Sequence, residues 1–120
     1  MAAIERLICD SAALIDGGKG VRFERVRPTG IEPAFMVRHG GKPFAYVNRC
    51  GHIPVELDWQ PGEFFDYSGL YLICATHGAL YAPETGRCVT GKCAGKGLQS
   101  LSITERDGQI FMTEEGESGE

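Results

Sequence analysis

Four residues in two short stretches can do metal chemistry: Cys50 and His52 with one residue between them, and Cys74 and His77 with two. Each stretch offers one soft thiolate and one imidazole, ligand types that suit zinc and iron–sulfur centres rather than magnesium or calcium. A closed tetrahedral zinc site usually takes its paired ligands with about two to four residues between them. Cys74 and His77 meet that habit, and Cys50 and His52 do not. A binuclear iron–sulfide cluster uses the same donors differently. Four thiolates leave the oxidised core a dianion, whereas two thiolates and two neutral imidazoles leave it uncharged, and an uncharged cluster accepts an electron more readily. The pattern of one Cys and one His per stretch also suits an asymmetric centre with one all-Cys iron and one all-His iron. A structural zinc module that binds another protein is the alternative. Colour separates the two, because iron with sulfide makes a protein brown and zinc leaves it colourless.

Both stretches lie in loops between segments patterned as strands. Residues 5–9 predict a short first strand, residues 10–13 a polar corner, and Gly17, Gly18 and Gly20 a turn. Val21 and Phe23 alternate with Arg22 and Glu24 before Val26 shifts the phase, which predicts a bulge or a strand end near Arg25. Arg27-Pro28-Thr29-Gly30 and Pro33 predict a loop, and residues 34–38 and 44–48 a hairpin around Gly40-Gly41, where primed turns need positive φ. His39 falls at that turn and reads as a solvated side chain rather than a ligand. Arg49, read as an exposed side chain with partner docking as the alternative, leads into the first ligand loop. The connection 53–71 carries Trp59, Phe64 and Phe65 around a Pro61-Gly62 turn, a pattern for a loop packed down by its own aromatics, with Trp59 covering the core. Glu56, Asp58, Glu63 and Asp66 read as its solvated acidic rim. Residues 70–73 predict the strand that delivers Cys74, and residues 80–82 and 87–90 flank a turn at 83–86. Asp107-Gly108 turns a closing hairpin, and the acidic tail 114–120 is expected to fray.

The 120 residues predict a single domain, 1–120, with one core. Seventeen glycines predict many turns and short strands. A net charge of −4 excludes the basic surface that nucleic acid selects. The longest apolar run, residues 70–75, is far too short to span a membrane, and the first ten residues lack a secretory pattern. A cytoplasmic location follows, with reduced thiols. Five cysteines then read as metal ligands plus spare thiols: Cys9 as a small buried hydrophobe, and Cys88 and Cys93 as unbridged.

Taken together, Cys50-Gly51-His52, Cys74-Ala75-Thr76-His77-Gly78, Tyr81 and Thr85-Gly86 resemble the Rieske-type [2Fe-2S] ferredoxins, in their soluble, oxygenase-associated branch. The resemblance runs from about Glu5 to Met112. It implies an all-β fold, an antiparallel sandwich or partly open barrel, with a small cluster-binding part at about 49–93 formed by two loops. It also implies one [2Fe-2S] cluster per chain, with Cys50 and Cys74 on the buried iron and His52 and His77 on the outer one. The implied role is a one-electron carrier between a flavin-dependent reductase and a terminal iron-dependent oxygenase, with no turnover of its own. The chain departs from the family's pattern in several places. The connection from His52 to Cys74 is a few residues longer than is usual. The extra cysteine that high-potential members carry in each loop is absent, with Val55 or a neighbour and Thr76 in those places. Gly91-Lys92-Cys93 lacks the proline of the covering loop. Ala79 stands where high-potential members place a Ser, while Tyr81 keeps the other hydroxyl. A Rieske domain inside an oxygenase is a further alternative. Such an enzyme needs two His and a carboxylate for a second iron, and only His39 is left over.

Overall fold

The computed structural model describes residues 3–27, 30–49, 56–58, 60, 62–74, 78–90 and 97–115. Among them are ten strands and one short 3-10 helix, Ser11–Ala13, where the polar corner was expected. The strands form three antiparallel sheets. The first orders β1 (Ala3–Asp10), β10 (Gln109–Glu115) and β9 (Ile103–Arg106); the second orders β2 (Val21–Arg27), β3 (Gly30–His39), β4 (Lys42–Val47) and β8 (Ser100–Leu101); the third orders β5 (Leu72–Ile73), β6 (Leu80–Tyr81) and β7 (Cys88–Thr90). The sheets are open layers, and no closed barrel forms among the described residues.

The second sheet is the middle layer, and its central strand shows it. Ala34, Phe35, Met36 and Val37 are all buried, a continuous apolar run that a strand needs when both its faces are covered. Phe35, Val37 and Tyr46 point into one core with Leu57, Phe64, Leu72 and Tyr81, while Met36 and Ala45 point into another with Leu14 and Ile110. Phe64, from the long connection, stacks on Phe35 with ring centroids 4.0 Å apart. That contact fixes the aromatic-packed loop expected between the two ligand stretches. Glu63 N donates to Gln60 O at 2.9 Å and Gly62 has φ 88, as a type II turn requires.

Two strand expectations are corrected. β2 pairs with β3 in unbroken register from Val21–Met36 to Arg27–Gly30, with no bulge at Arg25. The phase never shifts: Arg25 occupies the inward position and pairs with Glu32 at 3.0 Å, leaving Val26 outside and exposed. A salt-bridged Arg thus takes a place that the alternation assigned to an apolar residue. β3 likewise starts at Gly30, not after Pro33. Asn48 N donates to Pro33 O, so this residue's polar edge faces the side on which β4 has already ended. The amide hydrogen that proline lacks is not needed there. Ala3 and Ile4 pair with Glu115 and Glu114, so the tail expected to fray from 114 begins in a strand, and its residues 116–120 lie outside the described residues.

Candidate metal centre

The first ligand stretch follows β4, and the chain on either side of it is tied by side chains. Asn48, nearly fully buried, accepts from Leu57 N through Oδ1 at 2.9 Å and donates through Nδ2 to Asp58 Oδ1 at 3.0 Å. Asp58 Oδ2 accepts from Gly62 N at 3.0 Å and lies 3.3 Å from Arg22 Nε, while Arg22 Nη2 donates to Glu56 Oε1 at 2.7 Å. The Asp58 side chain has no exposed area, which corrects its reading as part of a solvated rim. A buried carboxylate is tolerated because each of its oxygens has a donor and one partner is a cation. The signal that sequence reasoning missed is positional: Asn48 and Asp58 flank the ligand stretch at its two ends.

The second ligand stretch is the tip of the β5–β6 hairpin. Leu72 pairs with Tyr81 and Ile73 with Leu80; Cys74 N then donates to Ala79 O at 2.9 Å, and Gly78 N to Cys74 O at 2.7 Å. Gly78 turns the chain with φ 74, a left-handed conformation that costs a side-chain-bearing residue energy. Cys74 is fully buried and shares one apolar core with Leu57, Ala79 and Tyr81. The roots of both ligand stretches therefore meet in the same core. Of the four expected ligands, Cys74 lies within the described residues, whereas Cys50, His52 and His77 lie outside them, as do Trp59, Gly91, Lys92 and Cys93. Among the described residues no group of three or more His, Cys, Asp or Glu could hold a metal ion. A soft thiol carried fully buried on a hairpin tip beside the root of a second Cys/His loop fits a two-iron cluster in donor type.

The surrounding side chains brace this region. Tyr46 donates its hydroxyl to Pro83 O at 2.6 Å, and burial, with Glu84 nearby, pushes its phenol well above the ordinary value. Gly86 packs against the Tyr46 ring at φ 73, where a Cβ would meet Cε1 at 2.6 Å. His39 is not the solvated side chain expected. Its Nε2 lies 3.1 Å from Glu84 Oε2, its ring stacks against Phe65, and only 18% of the side chain is exposed. Burial of His39 needed an acidic partner from a turn 45 positions on, which no local pattern signals. Arg49 is exposed and pairs with Glu32 at 3.1 Å. Cys9 is a free, half-buried thiol against the second core, and its burial raises its pKa. Cys88 is disulfide-bonded, which corrects the expectation that it is unbridged, and Cys93 lies outside the described residues.

Among solved structures, the chain is similar to the ferredoxin of carbazole 1,9a-dioxygenase from Nocardioides aromaticivorans IC177, at 18% identity and TM-score 0.71, covering 92% of this chain and 98% of that one. It is similar to the Sphingomonas yanoikuyae B1 ferredoxin at 20% identity and TM-score 0.70, covering 93% and 100%. It also resembles the terminal oxygenase of carbazole 1,9a-dioxygenase from Novosphingobium sp. KA1, at 21% identity and TM-score 0.74, covering 97% of this chain but 31% of that one. These likenesses establish the fold. No curated protein matches the chain. Residues 7–110 match the Rieske [2Fe-2S] domain, a span that contains both Cys/His stretches and the whole of the second and third sheets, so the chain belongs to the Rieske [2Fe-2S] domain family, with one [2Fe-2S] cluster as its cofactor.

Proposed function

We propose that this protein is a one-electron carrier that accepts an electron from a flavin-dependent reductase and delivers it to a terminal iron-dependent oxygenase. The observation that carries the proposal is the family match spanning two loops whose roots share one core, each loop with one Cys and one His. The fold's likeness to ferredoxins of dioxygenase systems over nearly their whole length supports it. In this reading Cys50 and Cys74 would hold one iron and His52 and His77 the other, on one domain, 1–120, with its cluster-binding part at 49–93. When bound, the cluster takes up and gives back a single electron. The chain's part is to hold it. Cys74 would anchor one side in the apolar core, where water is excluded, on a hairpin closed by Cys74 N and Gly78 N. No helix of the described residues is long and apolar enough to cross a membrane, and a cytoplasmic setting belongs to the same proposal.

Iron and acid-labile sulfide in the purified protein and in the four single Ala variants at 50, 52, 74 and 77 test the site. Each variant is expected to lose the cluster; full occupancy in one would remove that residue from the ligand set. His39→Ala and Cys9→Ala should keep their colour. The role is tested by bleaching with a flavin-dependent reductase and NADH, followed by recovery of colour on adding a terminal oxygenase with its substrate. A colourless, zinc-containing protein would overturn the proposal.

A further inference from the structure

We infer that Asn48, Asp58 and Arg22 form a clasp that positions the first ligand loop, so that this buried polar network, and not the loop alone, sets how firmly the cluster is held and at what potential it works. The inference rests on the proposed cluster site and deepens it.

The geometry of the network makes the case. Asn48 stands two residues before Cys50, and Leu57 and Asp58 stand five and six residues after His52. One side-chain amide spans the gap, its oxygen taking Leu57 N and its nitrogen giving to Asp58 Oδ1. The separation of the two ends of the loop is thereby fixed by one rigid planar group. Asp58 extends the tie, because Oδ2 takes Gly62 N from the turn midway along the connection that leads to Cys74, and Arg22 reaches it from β2. The loop is fastened to the middle sheet at one end and to the approach of the second ligand hairpin at the other. Asn48 N, bonded to Pro33 O at 2.8 Å, holds the amide's own backbone in the sheet.

A merely structural network predicts something different. A buried charge contributes little net stability compared with an apolar residue of the same shape, and what it does supply is a single arrangement of its partners. Here Asn48, Leu57 and Asp58 lie on the segments that bracket the first ligand stretch, and Arg22 and Gly62 tie them to β2 and to the turn at Gly62. The contrasting network is Arg38 with Glu105, which joins β3 to β9 at 2.7 Å; its partners among the described residues bracket no ligand. Loss of that pair should lower stability without touching the cluster.

The test compares variants in the loaded protein. Asp58→Asn keeps the shape, but its amide nitrogen then faces a donor, either Gly62 N or Asn48 Nδ2. The rate of cluster loss to an iron chelator is expected to rise roughly 10-fold or more, the scale on which groups that orient ligands act, and the reduction potential is expected to shift. Glu105→Gln should lower the thermal midpoint and leave both readouts at the parent's values. The exchange Asn48→Asp with Asp58→Asn restores every hydrogen bond with one reversed, while the ion pair with Arg22 becomes a hydrogen bond to a neutral amide: the carboxylate now at 48 accepts from Leu57 N and from the amide at 58, whose oxygen accepts from Gly62 N and Arg22. It should return release rate and potential towards the parent. A loaded Asp58→Asn protein that matches the parent in both readouts overturns the clasp, as does equal acceleration by Glu105→Gln. If Asp58→Asn does not fold, the exchange decides: parent-like release supports the clasp, and release as fast as from an unfolded chain overturns it. A parent protein without iron and sulfide would overturn the cluster reading itself, an outcome distinct from all of these.

Discussion

At the scale of single residues, Ala79 is the position where one atom should retune the protein. It is 1% exposed and shares the core with Cys74 and Tyr81. The absence of a hydroxyl there, and of a second cysteine in each loop, leads us to expect a potential near the low end of the Rieske range of about −150 to +300 mV. Ala79→Ser should raise it. Reduction adds negative charge to the cluster, and a hydroxyl directed at a sulfide stabilises the reduced form more than the oxidised one. Hydrogen bonds to charged groups contribute about 1.5–3 kcal/mol in all. The difference between redox states is the part that counts, about 1.4 kcal/mol or about 59 mV for one electron. Ser is barely larger than Ala, so packing tolerates it. Voltammetry of both proteins at one pH checks this, and an unchanged or lower potential with cluster content intact would show that residue 79 does not face the sulfides.

At the scale of elements, the turn after β6 is the tightest fit among the turns described. Gly86 N donates to Ala82 O at 2.8 Å and its own carbonyl accepts from Leu98 N at 2.8 Å, so the turn ties the third sheet to the segment entering β8. Gly86→Ala meets two penalties at once, a left-handed φ and a Cβ driven into the Tyr46 ring. Tyr46 cannot swing away without giving up its bond to Pro83 O. We expect a loss of about 2–4 kcal/mol, from overpacking plus backbone strain, read as a lower urea midpoint of the loaded protein. A loss below about 0.5 kcal/mol would mean that the turn can shift as a body. By contrast Gly40, at φ 63 with open space around it, should show only the backbone part of this effect when changed to Ala.

At the scale of the whole molecule, the first sheet is held to the middle one by a small number of polar ties across an apolar layer. Arg38 binds Glu105 with two nitrogens and also donates to the carbonyls of Leu14, Ser11 and Gly41. The Arg38 guanidinium, through its two hydrogen bonds and its charge, holds the Glu105 carboxyl below its ordinary 4.5. A carboxyl depressed in the folded state contributes stability that is fully present above its unfolded value and is lost as pH falls through its folded one. Acid unfolding should therefore steepen below pH 4.5. Glu105→Gln should flatten that part of the pH profile while leaving stability at neutral pH only modestly lower, since the pair is largely solvent-screened. Equal acid slopes for parent and variant would remove Glu105 from the acid transition.

What was legible from the sequence alone is what short-range geometry dictates. Two Cys/His pairs at fixed spacing pointed to the [2Fe-2S] domain family that residues 7–110 match, although ligand type by itself left zinc open. The Gly40-Gly41 and Asp107-Gly108 hairpins formed where expected, because positive φ at those positions leaves the chain little choice: 63 and 83 in the first, 53 and 74 in the second. Phe64 and Phe65 of the long connection packed down as their apolar area requires. Tertiary structure alone decided the fate of the polar residues. Asp58 and Asn48 are buried and His39 is covered, because each meets a partner far along the chain or across a loop, and only that partner offsets the cost of leaving water. Arg25 holds a strand in phase for the same reason, through Glu32 on the neighbouring strand. Pro33 sits inside β3 because β4 ends before it would need an amide there. The pairing of β1 with β10 joins the two ends of the described chain, and a contact at that separation leaves no trace in any local pattern.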